Sequence, residues 1–238
     1  MTRIDSYEDL ADNIVGWLKD YYWMHNVKAF VVGVSGGIDS AVVSSLCART
    51  GLPTYVVCMP LESKFENTKL SDAHSKALVE KYDNVKRIEV ELFSAYDSLI
   101  KSIEWWSEAQ HFDRKEFTSS DHAKANTKSR MRMVTLYQIA GSVGGIVVGT
   151  GNKVEDYGVG FYTKYGDGGV DIAPIADLYK TEVWELGEYL EVDQRIVDAD
   201  PTDGLWIDSR SDEEQLGASY AELEEAMETG TGLSLIHI

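Results

Sequence analysis

An α/β fold, a twisted parallel sheet with helices on both faces and built as a single domain, is predicted by three observations. Short apolar runs alternate with segments of helical periodicity, which requires crossover connections and therefore parallel strands. One of these runs, Phe30-Val31-Val32, passes through Gly33-Val34-Ser35-Gly36-Gly37-Ile38-Asp39-Ser40, a glycine-rich junction between a strand and a helix. A length of 238 residues is enough to bury one full core.

The chain opens on an amphipathic helix whose Leu10, Ile14, Trp17, Leu18 and Tyr21 recur at helical spacing. The pattern then predicts a strand over 29–34, a helix over 39–50, a strand over 54–59, a helix over 71–82, a strand over 86–91 and a helix over 94–106. The stretch 107–124 is polar and aperiodic, contains His111 and His122, and reads as a surface excursion within the domain. A helix over 126–142 feeds a strand over 145–149. Past Gly151 the chain is rich in glycine and carboxylates, and a helix follows over 180–190. Ser211-Asp212-Glu213-Glu214 has the form of a capping box and starts a last helix through Leu216, Tyr220 and Leu223. Ligands of parallel sheets sit beyond the carboxyl ends of strands. Three such ends carry unusual chemistry here: Ser35, the Met59-Pro60 corner and Gly149-Thr150.

The formal net charge is −18, from 22 basic and 40 acidic residues. Binding to nucleic acid is largely driven by cations, so this balance argues against such a partner. A single anionic nucleotide is not excluded, because it needs only a local positive site. Cys47 and Cys58 form no metal-binding or redox pattern and read as small buried apolar residues. No stretch approaches 18 consecutive apolar residues, and Met1 to Leu10 lacks the parts of a signal peptide; a cytoplasmic protein with no membrane partner is expected.

The junction at Ser35 suits phosphate. Glycines let the backbone approach an anion closely, and the first N–H groups of the next helix lack internal partners and lie at the positive end of its dipole. A P-loop lysine is missing, and Asp39 stands where a carboxylate can hold magnesium instead.

Ser35-Gly36-Gly37-Ile38-Asp39-Ser40 resembles the SGGxDS signature of the PP-loop ATP pyrophosphatases, which split ATP between the α and β phosphates. Later blocks narrow the resemblance. Asn126-Thr127-Lys128-Ser129-Arg130-Met131-Arg132-Met133, Gly149-Thr150-Gly151-Asn152, Phe161-Tyr162-Thr163-Lys164-Tyr165-Gly166-Asp167-Gly168-Gly169-Val170-Asp171 and Leu178-Tyr179-Lys180-Thr181-Glu182-Val183 look like the NAD synthetases in the same order. Pro201-Thr202-Asp203-Gly204-Leu205-Trp206 and 211–220 do so too. The implied reaction is ammonia-dependent amidation of nicotinic acid adenine dinucleotide (deamido-NAD), through an acyl-adenylate, with release of AMP and pyrophosphate.

The resemblance also implies residue roles. Gly33, Val34, Ser35, Gly36, Gly37, Ile38, Asp39 and Ser40 would hold ATP, joined by Thr150, Lys180 and Thr202. Asp39 and Glu155 would hold magnesium; the stretch between Glu155 and Lys164 is one residue longer than the commoner pattern, so Asp156 competes for the second position. Arg130, Lys164 and Asp171 would bind deamido-NAD. Arg130 has support of its own, because on a helix it shares a face with Met133, Val134 and Tyr137, where a guanidinium needs a partner. Phe161 and Tyr162 are candidates to stack on the pyridine ring, and Asp167 to receive a proton from ammonia or ammonium.

Two rivals stay open: another PP-loop amidase of the GMP synthetase kind, and a non-catalytic ATP-binding module. A homodimer is expected by resemblance alone; ammonia is the expected nitrogen source because neither cysteine has a nucleophile context, and a separate glutaminase partner stays open. The domain is read as 1–228. The tail 229–238 departs from the family's closing histidine-lysine pair and reads as a truncation or an artefact.

Overall fold

The computed structural model describes residues 3–61, 65–110, 113, 116–202 and 211–230. Its central feature is a four-stranded, wholly parallel sheet in the order β3-β2-β1-β4, formed by β1 (Phe30–Gly33), β2 (Thr54–Cys58), β3 (Val85–Glu89) and β4 (Ile146–Val147). Val148 continues past β4 by bridging to Ile172 in parallel. The helices are α1 (Tyr7–Met24), α2 (Ile38–Arg49), α3 (Phe65–Lys81), α4 (Phe93–Ala109), α5 (Asp121–Val143), α6 (Lys180–Tyr189), α7 (Gln194–Val197), α8 (Asp212–Leu216) and α9 (Tyr220–Thr229), with a π-helical segment at Val154–Val159.

The pleat of β1 divides the core. Phe30 and Val32 pack with α1, α2 and α6 through Leu18, Leu46 and Leu186. Val31 faces the other way, into a cluster with Val57, Val147, Tyr96 and Ala140 below α4 and α5. Strands covered on both faces are apolar throughout rather than alternating, as the Phe30-Val31-Val32 run is. Ten of the twelve residues of α2 are buried, among them Ser40, Ala41, Ser44, Ser45 and Ala48, so small side chains on every face let this helix lie sheathed by protein.

The sheet reverses direction at β1: the chain builds outward to β2 and β3, then returns to lay β4 on the opposite edge of β1. Such a switch point opens a crevice beyond the carboxyl end of the strand. Here it is flanked by the loop after β1 and the loop after β4. Close approach of these edges needs Gly145, where a Cβ would lie 2.6 Å from the Ala29 carbonyl oxygen.

Several boundaries differ from those the pattern predicts. α3 begins at Phe65, before the apolar spacing becomes regular, and α5 begins at Asp121, where Ser120 caps it by accepting a hydrogen bond from Ala123 N (3.3 Å). The polar excursion therefore shrinks, because α4 also runs to Ala109. The predicted last helix is two helices. Ser211 and Glu214 do form the capping box, but Gly217 ends α8 in the left-handed region (φ 73°), and a second box, Ser219 with Glu222, starts α9. His111, 203–210 and 231–238 lie outside the described residues.

Behind the β1–α2 junction, the His74 ring on α3 lies 2.9 Å from Ser44 Oγ on α2. Burial pushes this imidazole down to about 4 from an ordinary 6.5. The unfolded chain therefore binds more protons between those values, so stability is lost as pH falls from 6.5 towards 4, by up to about 3 kcal/mol. Denaturant titrations across that window should show the slope, and His74→Gln should flatten it.

Candidate active site

The crevice is a cavity of about 940 Å³, at the upper end of the ~300–1,000 Å³ typical of small-molecule sites. All of Gly33 to Ser40 line it, together with Thr150, Glu155, Asp156, Lys180 and Thr202. The Met59-Pro60 corner, Phe161, Tyr162, Thr163 and Asp167 share the same cavity.

The loop after β1 is held by its own serines. Ser40 Oγ accepts from Ser35 N (3.2 Å) and donates to the Gly37 carbonyl (3.0 Å), while Gly37 N donates to Ser35 Oγ (3.2 Å). Gly36 takes φ 94°, a conformation that side chains disfavour. Gly37 caps α2 without a side-chain hydrogen bond, so the first N–H groups of the helix face the cavity end as an anion site.

Beside this loop lies a buried ionic triad. Lys180 Nζ donates to Asp39 Oδ2 (2.6 Å) and to Glu155 Oε1 (2.8 Å). The lysine side chain is 3% exposed and each carboxylate 16%. Asp39 comes from the first turn of α2, Glu155 from the π-helical segment, and Lys180 is the first residue of α6. A cation at a helix start opposes the dipole; here two carboxylates outweigh that cost. Asn152 ties the parts together: its Nδ2 donates to Asp39 Oδ1 (3.0 Å), and its Oδ1 accepts from Val154 N and Glu155 N (3.0 and 3.1 Å). The Tyr220 hydroxyl donates to Glu155 Oε1 (2.7 Å).

Burial would push Lys180 towards neutrality, but the two adjacent carboxylates reverse this and hold it charged. Burial pushes Asp39 up, against the pull of Lys180 and with that of Glu155. For Glu155 the same burial is outweighed by the Lys180 charge and by hydrogen bonds from Lys180, Tyr220 and Asn152, which keep it below the ordinary range. Asp156 rises to about 6, through burial and the charges of Glu155, Asp167 and Asp39.

With Lys180 protonated and both acids ionised, the triad carries one excess negative charge. That donor set fits magnesium, which is commonly held by one or two carboxylates and completed by substrate phosphates. No group of three or more His, Cys, Asp or Glu side chains converges on one point among the described residues, so phosphate oxygens would have to supply the remaining ligands. Glu155 rather than Asp156 shares the lysine with Asp39; the Asp156 carboxylate lies against Gly151, where no Cβ fits.

Asp167 also lines the cavity. Its Oδ1 accepts from Ser129 Oγ (2.6 Å) and from Thr163 N (3.1 Å), and its own N–H donates back to Ser129 Oγ (3.0 Å). Arg130, Lys164 and Asp171 do not line it, although each follows a lining residue in sequence: Ser129, Thr163 and Val170. The apolar environment expected around Arg130 is not found. The residue is exposed, Val134 on the same face is 60% exposed, and Arg130 Nε donates to the Lys164 carbonyl (3.1 Å). The reason is helical phase: α5 turns Ala125, Ser129, Arg132, Met133 and Leu136 to the cavity, and a step from 129 to 130 rotates ~100° away. Asp171 accepts from Val147 N (2.7 Å) and the Tyr137 hydroxyl (3.0 Å), fastening the edge of β4.

Asn152 and Tyr220 carry no role in the sequence reading. Asn152 stands within one of the quoted blocks, but nothing in its spacing marks it; Tyr220 sits on the apolar stripe of a helix and looks like any core aromatic.

A serine-glycine loop at the switch point of a parallel sheet, beside a buried carboxylate–lysine–carboxylate triad, defines a nucleotide-binding α/β enzyme of the PP-loop type. A family model described as NAD synthase matches residues 10–234. An NH(3)-dependent NAD(+) synthetase of Carboxydothermus hydrogenoformans is 35% identical over 228 residues, 95% of this chain and 88% of the relative. Among solved structures, an NMN synthetase from Francisella tularensis superposes with a TM-score of 0.84 at 32% identity, over 98% of this chain and 90% of the other. An NH3-dependent NAD synthetase from Campylobacter jejuni subsp. jejuni, in complex with the nitrate ion, gives 0.74 at 26%, over 97% and 90%. The chain belongs to the NAD synthase family. No helix among the described residues is long and apolar enough to cross a membrane.

Proposed function

We propose that this enzyme amidates the carboxylate of deamido-NAD with ammonia, using ATP and releasing AMP and pyrophosphate. The observation that carries the reading is the Asp39–Lys180–Glu155 triad, packed against an anion-binding loop in one cavity with the Thr163–Asp167 turn. An ionised carboxylate repels nucleophiles; by attacking the α-phosphorus of ATP it becomes an acyl-adenylate, which ammonia opens with loss of AMP. Negative charge accumulates on the phosphates in the first step, and fixed positive groups in a site shielded from water stabilise it.

The N–H groups of the 35–40 loop and Lys180 supply that charge, Thr150 and Thr202 contact the nucleotide, and Phe161 or Tyr162 stacks on the pyridine. Magnesium held by Asp39 and Glu155 would neutralise phosphate oxygens when bound. Asp167, anchored through Oδ1, keeps a second oxygen to take the proton that ammonia loses. Arg130, Lys164 and Asp171, each next in sequence to a residue that lines the cavity, are the proposed contacts of the acid substrate. Residues 1–228 act as one catalytic domain, with 107–124 an elaboration of it and 229–238 an atypical tail, in a cytoplasmic homodimer.

A second reading has support in the 0.84 TM-score to an NMN synthetase: the acid substrate is nicotinic acid mononucleotide. An assay with ATP and magnesium, offering each acid with ammonium or glutamine, separates them. Ammonium with deamido-NAD is expected to give AMP, pyrophosphate and NAD. A kcat/KM higher for the mononucleotide would move the assignment to the second substrate, and ADP as product would reject both.

A further inference from the structure

Two residues on one face of α9 reach the triad, Tyr220 directly at Glu155 and Glu224 through Thr181, the neighbour of Lys180. Tyr220 and Glu224 are one turn apart and buried, at 1% and 9% exposure. Tyr220 donates to Glu155 Oε1 (2.7 Å), and its ring lies 5.0 Å from Lys180 Nζ. Glu224 accepts from Thr181 N (3.0 Å) and from Thr181 Oγ1 (2.7 Å), so it satisfies an orphan N–H in the first turn of α6, next to Lys180. One helix thus holds Glu155, on the π-helical segment, and the backbone that carries Lys180. Apolar packing fixes α9 there: Tyr220 and Leu223 sit with Val154 and Tyr179, and Trp184 stacks edge-on to Tyr220 at 5.8 Å. Gly158 lets Met227 approach so closely that a Cβ would lie 2.6 Å from its sulfur.

We propose that α9 is the positioning element of the phosphate–metal end of the site: Tyr220 and Glu224 set Glu155 and Lys180 in register. The inference rests on the proposed reading of the triad as the magnesium and phosphate site. Neither residue lines the cavity, so both act through the groups they hold. Partners that orient metal-binding carboxylates commonly change metal affinity or activity ~10–100-fold when removed. A helix docked only for stability would have no such effect.

Tyr220→Phe keeps the ring and its packing and removes only the hydroxyl. Magnesium-dependent ATP binding, followed by calorimetry, is expected to need about 10- to 100-fold more magnesium. Initial rates should show kcat reduced by a similar factor, with KM for deamido-NAD within about threefold. Glu224→Gln should weaken the same dependence, and Glu224→Asp should recover part of it. Leu78→Ala, a buried change on α3 in a separate cluster, controls for lost stability: it should lower Tm without altering the magnesium dependence. The proposal is overturned if Tyr220→Phe retains the parent magnesium dependence and kcat, or if Leu78→Ala reproduces its defect at equal Tm loss. The parent's own binding separates the two ideas: ATP binding by the parent that is indifferent to magnesium contradicts the reading of the triad itself.

Discussion

Lys180→Met is expected to cost about 3–5 kcal/mol of stability, because it leaves Asp39 and Glu155 buried side by side without their shared cation. For a chain of this size that lowers Tm by roughly 6–20 °C. The size of the effect comes from removing one partner of a buried ion group, which exposes the full desolvation cost of the other two. It also carries a sign in pH. Without the ammonium, both acids take folded pKa values above their unfolded ones, so the folded variant binds more protons and its stability falls as pH rises above about 4. Acid should partly rescue the variant, and magnesium at neutral pH should do so too if the acids accept it. Calorimetry at pH 5 and pH 7.5 checks both; equal Tm loss at the two values would mean that the carboxylates are not facing one another uncompensated.

Asp39→Asn should separate chemistry from folding. The remaining Lys180–Glu155 pair is neutral and hydrogen-bonded, and the amide can still accept from Asn152, so the stability change should stay near the 1–3 kcal/mol of one mismatched buried hydrogen bond. The excess negative charge of the triad disappears, and with it the attraction for a divalent ion. Pyrophosphate release is expected to fall about 10²- to 10³-fold, the scale set by losing one electrostatic group aimed at the transition state. Normal turnover by a folded Asp39→Asn enzyme would place the metal elsewhere.

The two variants bear on groups that differ in how visible they are in the sequence. Asp39 stands in a local pattern, a strand running into Ser-Gly-Gly-Ile-Asp-Ser, whose chemistry follows from backbone rules over a few residues. The alternation of strands and helices is legible for the same reason, since a buried parallel strand needs a continuous apolar run and Phe30-Val31-Val32 is one. Lys180 lies 141 positions from Asp39. No periodicity joins them, and only the resemblance of the Leu178–Val183 block to the same family links the two to one site. Tyr220 shows the limit more sharply, because its hydroxyl bond to Glu155 uses a residue indistinguishable in sequence from a core aromatic.

Arg130 illustrates the opposite error. Sharing a helical face with Met133 and Val134 argues for an apolar setting, but the sequence does not say which part of that face meets the sheet. The structure leaves Val134 and Arg130 exposed and turns Ser129 and Arg132 inward. The start of α5 at Asp121 has its own cause: a polar first turn capped by Ser120 obeys capping rules rather than apolar spacing.

In the proposed reaction, the substrate carboxylate attacks the α-phosphorus beside the Asp39–Lys180–Glu155 triad. Deamido-NAD labelled with ¹⁸O in both carboxylate oxygens, incubated with ATP, magnesium and ammonium, tests this by mass spectrometry of the products. The predicted result is one ¹⁸O atom in AMP, one in the amide and none in pyrophosphate. Label in inorganic phosphate together with ADP, or AMP free of label, would contradict it.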